Sequence, residues 1–384
     1  MRRILLVGGG SGGHIYPVIA VANALKAKLA ETGLPAQAGG VELMLLGDNK
    51  FMGQAAKESN IKFRSVMSGK LRRYFSPMNF LDIFKFPVGL IQSLWHIYWF
   101  MPDVVFAKGG YISVLPALVA KLYLIPLYIH ESDSVPGLAN RILGRLADKI
   151  FISFQVSSAY LDSTKTVLTG NPVRKELLTG DRNEAVKLFN LTLNKKTIFV
   201  YGGSQGAQKV NDIILELLVM MVGKDLQIIH QCGSGQYETV KNSVDKLIKE
   251  GESSYGNTIT QNYRLEPFLG LDKIRAAYAL ADIIVSRAGA GSIFEIALLG
   301  KPAILIPLST RSSRGEQITN AIELAKYGAV MIEEENLTPH IVLNQIEYLL
   351  RPENYEAVSQ KIKSFAMPDA ADKIAEAILS NPKH

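Results

Sequence analysis

The chain of 384 residues holds one cysteine, Cys232, and only two tryptophans. A lone thiol excludes an internal disulfide and any cysteine-cluster metal site, and it is expected to be a reduced thiol in a cytoplasmic protein. Histidine is almost as scarce: positions 14, 96, 130, 230, 340 and 384 are scattered. His130-Glu131 lacks the second histidine, at Ser134, that a zinc-binding helix would need, so no metal site is expected. Long apolar runs are missing as well. The run 4–7 behind Met1-Arg2-Arg3 is far shorter than a signal-peptide core. No uncharged stretch reaches the ~18–20 residues that cross a bilayer. The nearest candidates are broken by Pro87 and His96, or by Pro116, Lys121 and Pro126. The chain is therefore expected not to be transmembrane. With 48% hydrophobic and 20% charged residues it reads as globular, and its length suits two domains that each bury a core.

Acidic residues are outnumbered, 35 against 42 basic, for a formal charge of +7 and a pI of about 9.2. Such an excess favours nucleic acid, phosphorylated substrates or an acidic membrane face. No nucleic-acid motif accompanies it, so nucleic acid is excluded. Between 70 and 101, Lys70, Arg72, Arg73 and Lys85 mix with Tyr74, Phe75, Phe80, Phe84, Phe86, Trp95, Tyr98, Trp99 and Phe100. Cations among aromatics suit a lipid headgroup boundary, and 70–86 is expected to meet a membrane there. The stretch 88–100 is instead expected to be a buried core helix. Arg141, Arg145 and Lys149 repeat every four residues, reading as a basic helical stripe or a solvated face.

Short β-branched or leucine-rich runs at 3–7, 42–47, 104–107, 126–130 and 149–152 alternate with helix-compatible stretches such as 15–28. A second cycle runs through 198–201, 227–231, 282–285 and 303–306. This βαβ rhythm predicts an α/β fold of parallel sheets covered by helices. Each cycle opens with a glycine turn, Gly8-Gly9-Gly10-Ser11-Gly12-Gly13 and Gly202-Gly203-Ser204-Gln205-Gly206. Two such starts predict two Rossmann-like lobes facing a cleft, 1–165 and 166–384, with the final helix free to pack back on the first lobe.

Gly8, Gly10 and Gly13 satisfy G-x-G-x-x-G, which raises a dinucleotide reading. A dinucleotide site wants an acid about 20 positions on; Asp48 follows Gly13 by 35. His14 at the helix start has no place in such a site. It is the best candidate for a catalytic side chain, able to take a proton from an attacking hydroxyl; the alternative is a structural histidine. Freed amides at the helix start attract anions. In the second half, Gly202 to Gly206 offers donors for a diphosphate, and the stretch from Ser286 to Glu295 makes a second anion-binding helix start. Glu295 there can accept both hydroxyls of a ribose. Glu316, Gln317 and Asn320 follow a loop with Arg311 and Arg314 and suit sugar hydroxyls. Ordinary capping is the alternative for Ser204, Ser292 and Glu295 taken singly.

These stretches, with Lys108-Gly109-Gly110-Tyr111-Ile112-Ser113, His130-Glu131-Ser132-Asp133-Ser134-Val135-Pro136-Gly137, Gly170-Asn171-Pro172-Val173-Arg174 and Gly300-Lys301-Pro302, resemble the MurG family of UDP-N-acetylglucosamine transferases, in order across nearly the whole chain. The resemblance implies a GT-B fold and an inverting transfer of N-acetylglucosamine (GlcNAc) from UDP-GlcNAc to an undecaprenyl-diphosphate-linked muramyl pentapeptide. No metal or other cofactor is required, and the chain would sit peripherally on the cytoplasmic side of the membrane. It implies that Ser11, Gly12 and Gly13 contact the donor, that His14 is the base, and that Gly109, Gly110, Tyr111 and Ser113 lie on the acceptor side. Arg174 and Ser204 would hold diphosphate, and Leu269 with Ala290, Gly291, Ser292 and Ile293 would border uracil. Glu295 would hold ribose and Gln317 the sugar hydroxyls. Ser11 stands for the family's Thr, and Asp133 for an Asn that contacts the donor; ionised, Asp133 accepts but cannot donate. Competing readings are a transferase acting on another lipid such as a diacylglycerol, a UDP-sugar 2-epimerase or hydrolase, and an inactive scaffold.

Overall fold

A computed structural model describes residues 2–10, 12–31, 40–49, 52–69, 77–203, 206–310 and 315–381. The chain forms two compact units, Met1–Arg174 with Met367–His384, and Lys175–Ala366. In the first, β1 (Arg2–Val7), β2 (Val41–Gly47), β3 (Lys62–Ser65), β4 (Val104–Ala107), β5 (Leu127–Glu131), β6 (Lys149–Ile152) and β7 (Thr166–Leu168) make one sheet among the described residues. Its order is β3-β2-β1-β4-β5-β6-β7, and every pairing is parallel.

The composition of β1 explains its place at the centre. Successive side chains point to opposite faces, and both faces are covered, so both sets must be apolar. Ile4 and Leu6 enter one cluster with Val18, Val21 and Leu25 of the helix Gly12–Glu31. Leu5 and Val7 enter the opposite cluster with Ile97, Phe100 and Ile112. The terminal helix Ala370–Leu379 returns to the first cluster, where Ala371, Ile374, Ala375 and Ile378 are buried. Glu376 pairs with Lys28 at 2.6 Å, and the Arg2 guanidinium donates to the Leu379 carbonyl. The unit boundary lies at 174/175 and not at 165/166. Pairing of β7 with β6, Ile150 opposite Thr166, holds Thr166–Leu168 in the first sheet and keeps the residues up to Arg174 in the first unit.

The second unit has β8 (Lys196–Tyr201), β9 (Leu226–Gln231), β10 (Tyr263–Glu266), β11 (Ile283–Ser286), β12 (Ala303–Leu305) and β13 (Val330–Met331). Their order is β10-β9-β8-β11-β12-β13, again all parallel. Winding therefore reverses between β1 and β4, and again between β8 and β11. At such a reversal the neighbouring helices leave on opposite faces and open a crevice at the carboxyl ends of the strands.

The helix Pro77–Phe100 departs from the expected core helix. Ser93, Ile97 and Phe100 are buried, but Ile91, Trp95 and Trp99 are 61–66% exposed. One stripe faces the sheet and the helix Tyr111–Leu122, and among the described residues the side that carries Ile91, Trp95, Tyr98 and Trp99 stays exposed. Phe80 and Phe84 fall in the first half of this helix; Lys70, Arg72, Arg73 and Phe75 lie outside the described residues. The basic stripe is interrupted too. Arg141 and Arg145 share the helix Leu138–Leu146, whereas Lys149 opens β6. No helix of the described residues is long and apolar enough to cross a membrane.

Candidate active site

The first crevice lies where β1 and β4 end. Lys108 follows β4 and donates its backbone N–H to Val7, which sets the two glycine loops side by side. They interlock through their rings. The Tyr111 ring lies over Gly10, where an added Cβ would sit 3.1 Å from it, and the His14 ring lies over Gly110, 3.4 Å from an added Cβ. Gly10 and Gly110 have φ of +85° and +77°, which favour glycine in any case. Asp48, at the end of β2, accepts the Gly10 N–H at 2.8 Å. That carboxylate holds the loop in place, which removes it from the ribose role of the dinucleotide reading.

His14 Nδ1 is enclosed and has no hydrogen-bond partner, although part of the residue reaches solvent. Burial and then the Lys108 charge lower its pKa to about 4, against the pull of the Lys108 carbonyl. The ring is neutral at physiological pH and able to accept a proton. Lys108 is itself fully buried with no hydrogen-bond partner at Nζ. Burial lowers its pKa to about 8, opposed by the charges of Glu131 and Asp133. Glu131 in turn accepts from Asp133 N–H, Gly137 N–H and Asn140 Nδ2 at 2.9–3.0 Å, a hub that shapes the loop after β5.

The second crevice lies where β8 and β11 end. Gly203 and Gly206 have φ of +85° and +80°, and a Cβ on Gly206 would meet the Cys232 carbonyl at 2.1 Å. Gln231, at the end of β9, donates to Gly203 O and accepts from Leu269 N–H, both at 3.0 Å, and so spans the loop and its neighbour. Gly289 precedes the helix Ala290–Leu299, with Gly291 and Ser292 half-buried at its open end and Glu295 one turn in. Gln317 Oε1 accepts the Leu308 N–H at 3.2 Å, which turns the amide group toward the strand ends.

Two glycine-lined crevices of this kind define a nucleotide-binding architecture, and comparison with known proteins decides which. Residues 4–152 match the glycosyltransferase family 28 N-terminal domain and 197–374 the family 28 C-terminal domain. A UDP-N-acetylglucosamine–N-acetylmuramyl-(pentapeptide) pyrophosphoryl-undecaprenol N-acetylglucosamine transferase of Treponema denticola is 36% identical over 376 residues, covering 97% of this chain and 94% of the relative. The Lachnospira eligens protein of the same name is 36% identical over 384 residues, the full length of both. The chain belongs to this transferase family. The crystal structure of Acinetobacter baumannii MurG has the same fold, with a TM-score of 0.70 at 23% identity over 99% of both chains. So does a UDP-GlcNAc 2-epimerase from Neisseria meningitidis, at 0.66 and 17% over 99% of this chain and 100% of that one.

In this family member the expected residues divide into several groups. Gly12, Gly13, His14, Gly109, Gly110 and Tyr111 gather at the first crevice, with Asp133 on the adjoining loop. Arg174 belongs to the same unit, its guanidinium 4.0 Å above the Tyr16 ring. Ala290, Gly291, Ser292, Glu295 and Gln317 border the second crevice. Ser11 and Ser204 lie outside the described residues. Three expectations need correction. Ser113 is fully buried and donates its hydroxyl to Gly109 O at 2.7 Å, so it braces the loop and offers nothing to an acceptor. Asn320 is buried and donates to Ala288 O, not to a sugar. The side chains of Leu269 and Ile293 are buried in the unit's core, so only their backbone can border a base.

Sequence reasoning assigned no role to Lys108, Gln231 or Arg287. Arg287 donates to Ile306 O and pairs with Glu334 at 2.6 Å in the interior, anchoring the end of β12. Each stands at or just past a strand's carboxyl end, and that position was the available signal.

Proposed function

We propose that this chain transfers N-acetylglucosamine from UDP-GlcNAc to an undecaprenyl-diphosphate-linked muramyl pentapeptide, inverting the anomeric carbon. The observation that carries the reading is the 36% identity over the full length of the Lachnospira eligens transferase, which spans both crevices. His14 accepts the proton of the attacking hydroxyl. The ring is neutral and so open to a proton, while burial and the Lys108 charge hold its basicity below that of an ordinary imidazole. The departing UDP is met by backbone amides at the helix starts and by Arg174. Glu295 accepts the ribose hydroxyls, and the Gln317 amide donates to the sugar. Backbone amides and side-chain cations carry the diphosphate charge in this reading, so turnover is expected to survive EDTA. The exposed stripe of the helix Pro77–Phe100 rests at the cytoplasmic membrane surface, where the acceptor lipid is found.

The test is UDP release from UDP-GlcNAc by the purified protein, with and without the lipid-linked muramyl pentapeptide. Release confined to the acceptor-containing reaction, with disaccharide lipid formed, is the expected result. Release with no lipid would identify an epimerase or hydrolase, and release with diacylglycerol a different transferase; either would overturn the reading. His14→Ala is expected to lower kcat by about 100-fold or more while UDP binding stays within about twofold of wild type. Turnover at the wild-type rate would remove His14 from the mechanism.

A further inference from the structure

The second crevice is backed by an interior hydrogen-bond chain that contact with a ligand does not explain. Tyr278, on the helix Leu271–Leu280, is fully buried and donates its hydroxyl to Glu295 Oε2 at 2.8 Å. Tyr201, the last residue of β8, places its hydroxyl 2.7 Å from that of Tyr278. A phenol has one proton to give. Tyr278 gives its proton to the carboxylate, so Tyr201 must be the donor between the two rings. The Ser286 hydroxyl beside it is given to Arg287 O at 3.0 Å, so the Tyr201 oxygen is left to accept from the Ser292 hydroxyl. The chain thus has a single direction, ending on Glu295.

Its rings are fixed by packing. Phe199 stacks on Tyr201 at 5.0 Å and meets Tyr278 edge-on at 5.3 Å, and the two tyrosines are perpendicular at 6.0 Å. Burial, with the Glu295 charge behind it, raises the pKa of both phenols far above the ordinary value, so both stay protonated as donors.

We propose that Tyr278, held by Tyr201, is a positioning residue that sets the Glu295 carboxylate to receive the two ribose hydroxyls of a uridine nucleotide. The proposal rests on the ribose role given to Glu295 above. The terminal torsion of a glutamate is broad and nearly free. A fixed donor on one oxygen selects one rotation of the carboxylate plane. Tyr201 also leads directly into Gly202-Gly203, so the same chain links the ribose acceptor to the glycine loop.

The experiment measures calorimetric Kd values of the full-length protein for UDP and for 2′,3′-dideoxy-UDP, in wild type, Tyr278→Phe, Tyr201→Phe and Glu295→Ala. The ratio of the two Kd values does not depend on the folded fraction, and loss of packing alone would leave it unchanged. Wild type is expected to prefer UDP, and Glu295→Ala to abolish the preference. Tyr278→Phe should cut it roughly tenfold, the worth of one hydrogen bond to a charged group, with dideoxy-UDP binding unaffected. Tyr201→Phe should cut it less. Should Tyr278→Phe not fold, Tyr201→Phe carries the test: a reduced ratio supports the relay and a wild-type ratio overturns it. Tyr278→Phe retaining the wild-type ratio while Glu295→Ala loses it would make the relay structural only. Glu295→Ala retaining the ratio would instead remove the ribose role of Glu295, and the proposal with it.

Discussion

Lys108 is the residue whose chemistry bears most on His14. It is a buried ammonium with no hydrogen-bond partner at Nζ, next to a histidine whose pKa it helps to lower. The charged and titratable groups facing this pair are His130 and Glu131 from the end of β5 and Asp133 from the loop that follows. Burial first, and then the positive charge of Lys108, disfavours protonation of the ring, so its neutral form persists down to about pH 4. If His14 is the base, kcat/KM should stay flat on the acid side well below the ordinary histidine range near 6.5. Lys108→Met removes the repulsion, which favours protonated His14. The acid limb of the pH–rate profile should therefore move upward by about one pH unit. A limb unmoved by Lys108→Met, with activity otherwise retained, would show that the Lys108 charge does not reach the reacting proton.

At the scale of single elements, the helix Pro77–Phe100 is the one whose surface calls for a partner. Trp95 and Trp99 meet edge to face at 5.5 Å, with Tyr98 against Trp99 at 5.7 Å, so the exposed side presents a continuous aromatic surface. Trp95→Ser and Trp99→Ser remove surface that packs little against the core. Together they are expected to lower binding to vesicles containing anionic lipid by about fivefold or more. The thermal midpoint should move by no more than about 2 °C, since neither side chain is buried. Vesicle binding at the wild-type level would remove this stripe from any membrane contact. The helix also shows where sequence reading stops. Alternation of strands and helices, and glycines, which take positive φ most readily, made both sheets and both crevices legible. Apolar residues on every side of a helix read as core, because composition does not say how many of its sides the fold covers. Ser113 and Asn320 were misplaced for a related reason: spacing locates a polar side chain on a loop or helix but not the direction it faces. Tyr278 was not legible at all, since a tyrosine in a helix looks like packing until its hydroxyl is seen on Glu295.

On the scale of the whole molecule, the chain does not finish where its second sheet does. Residues 367–384 belong to the first unit, so the unit that begins the chain is completed by its end. Ala371, Ile374, Ala375 and Ile378 close the cluster formed by Val18, Val21, Ala22 and Leu25 on the first helix. That helix also carries His14, and it shares its start with the first glycine loop. Full burial of two isoleucines and two alanines is worth roughly 4–6 kcal/mol, an upper bound because the unfolded chain already hides part of that surface. The Lys28–Glu376 pair adds little, being largely exposed to water on the Glu376 side. Removal of residues 367–384 is therefore expected to lower the melting transition of the first unit while leaving that of Lys175–Ala366 near its full-length value. Calorimetry of the truncated chain would resolve the two. UDP binding assigned to the second crevice should persist, and transfer should be lost as the first helix loosens. A single transition shifted as one, or an unshifted first transition, would mean that the terminal helix contributes much less to the first unit than its burial implies.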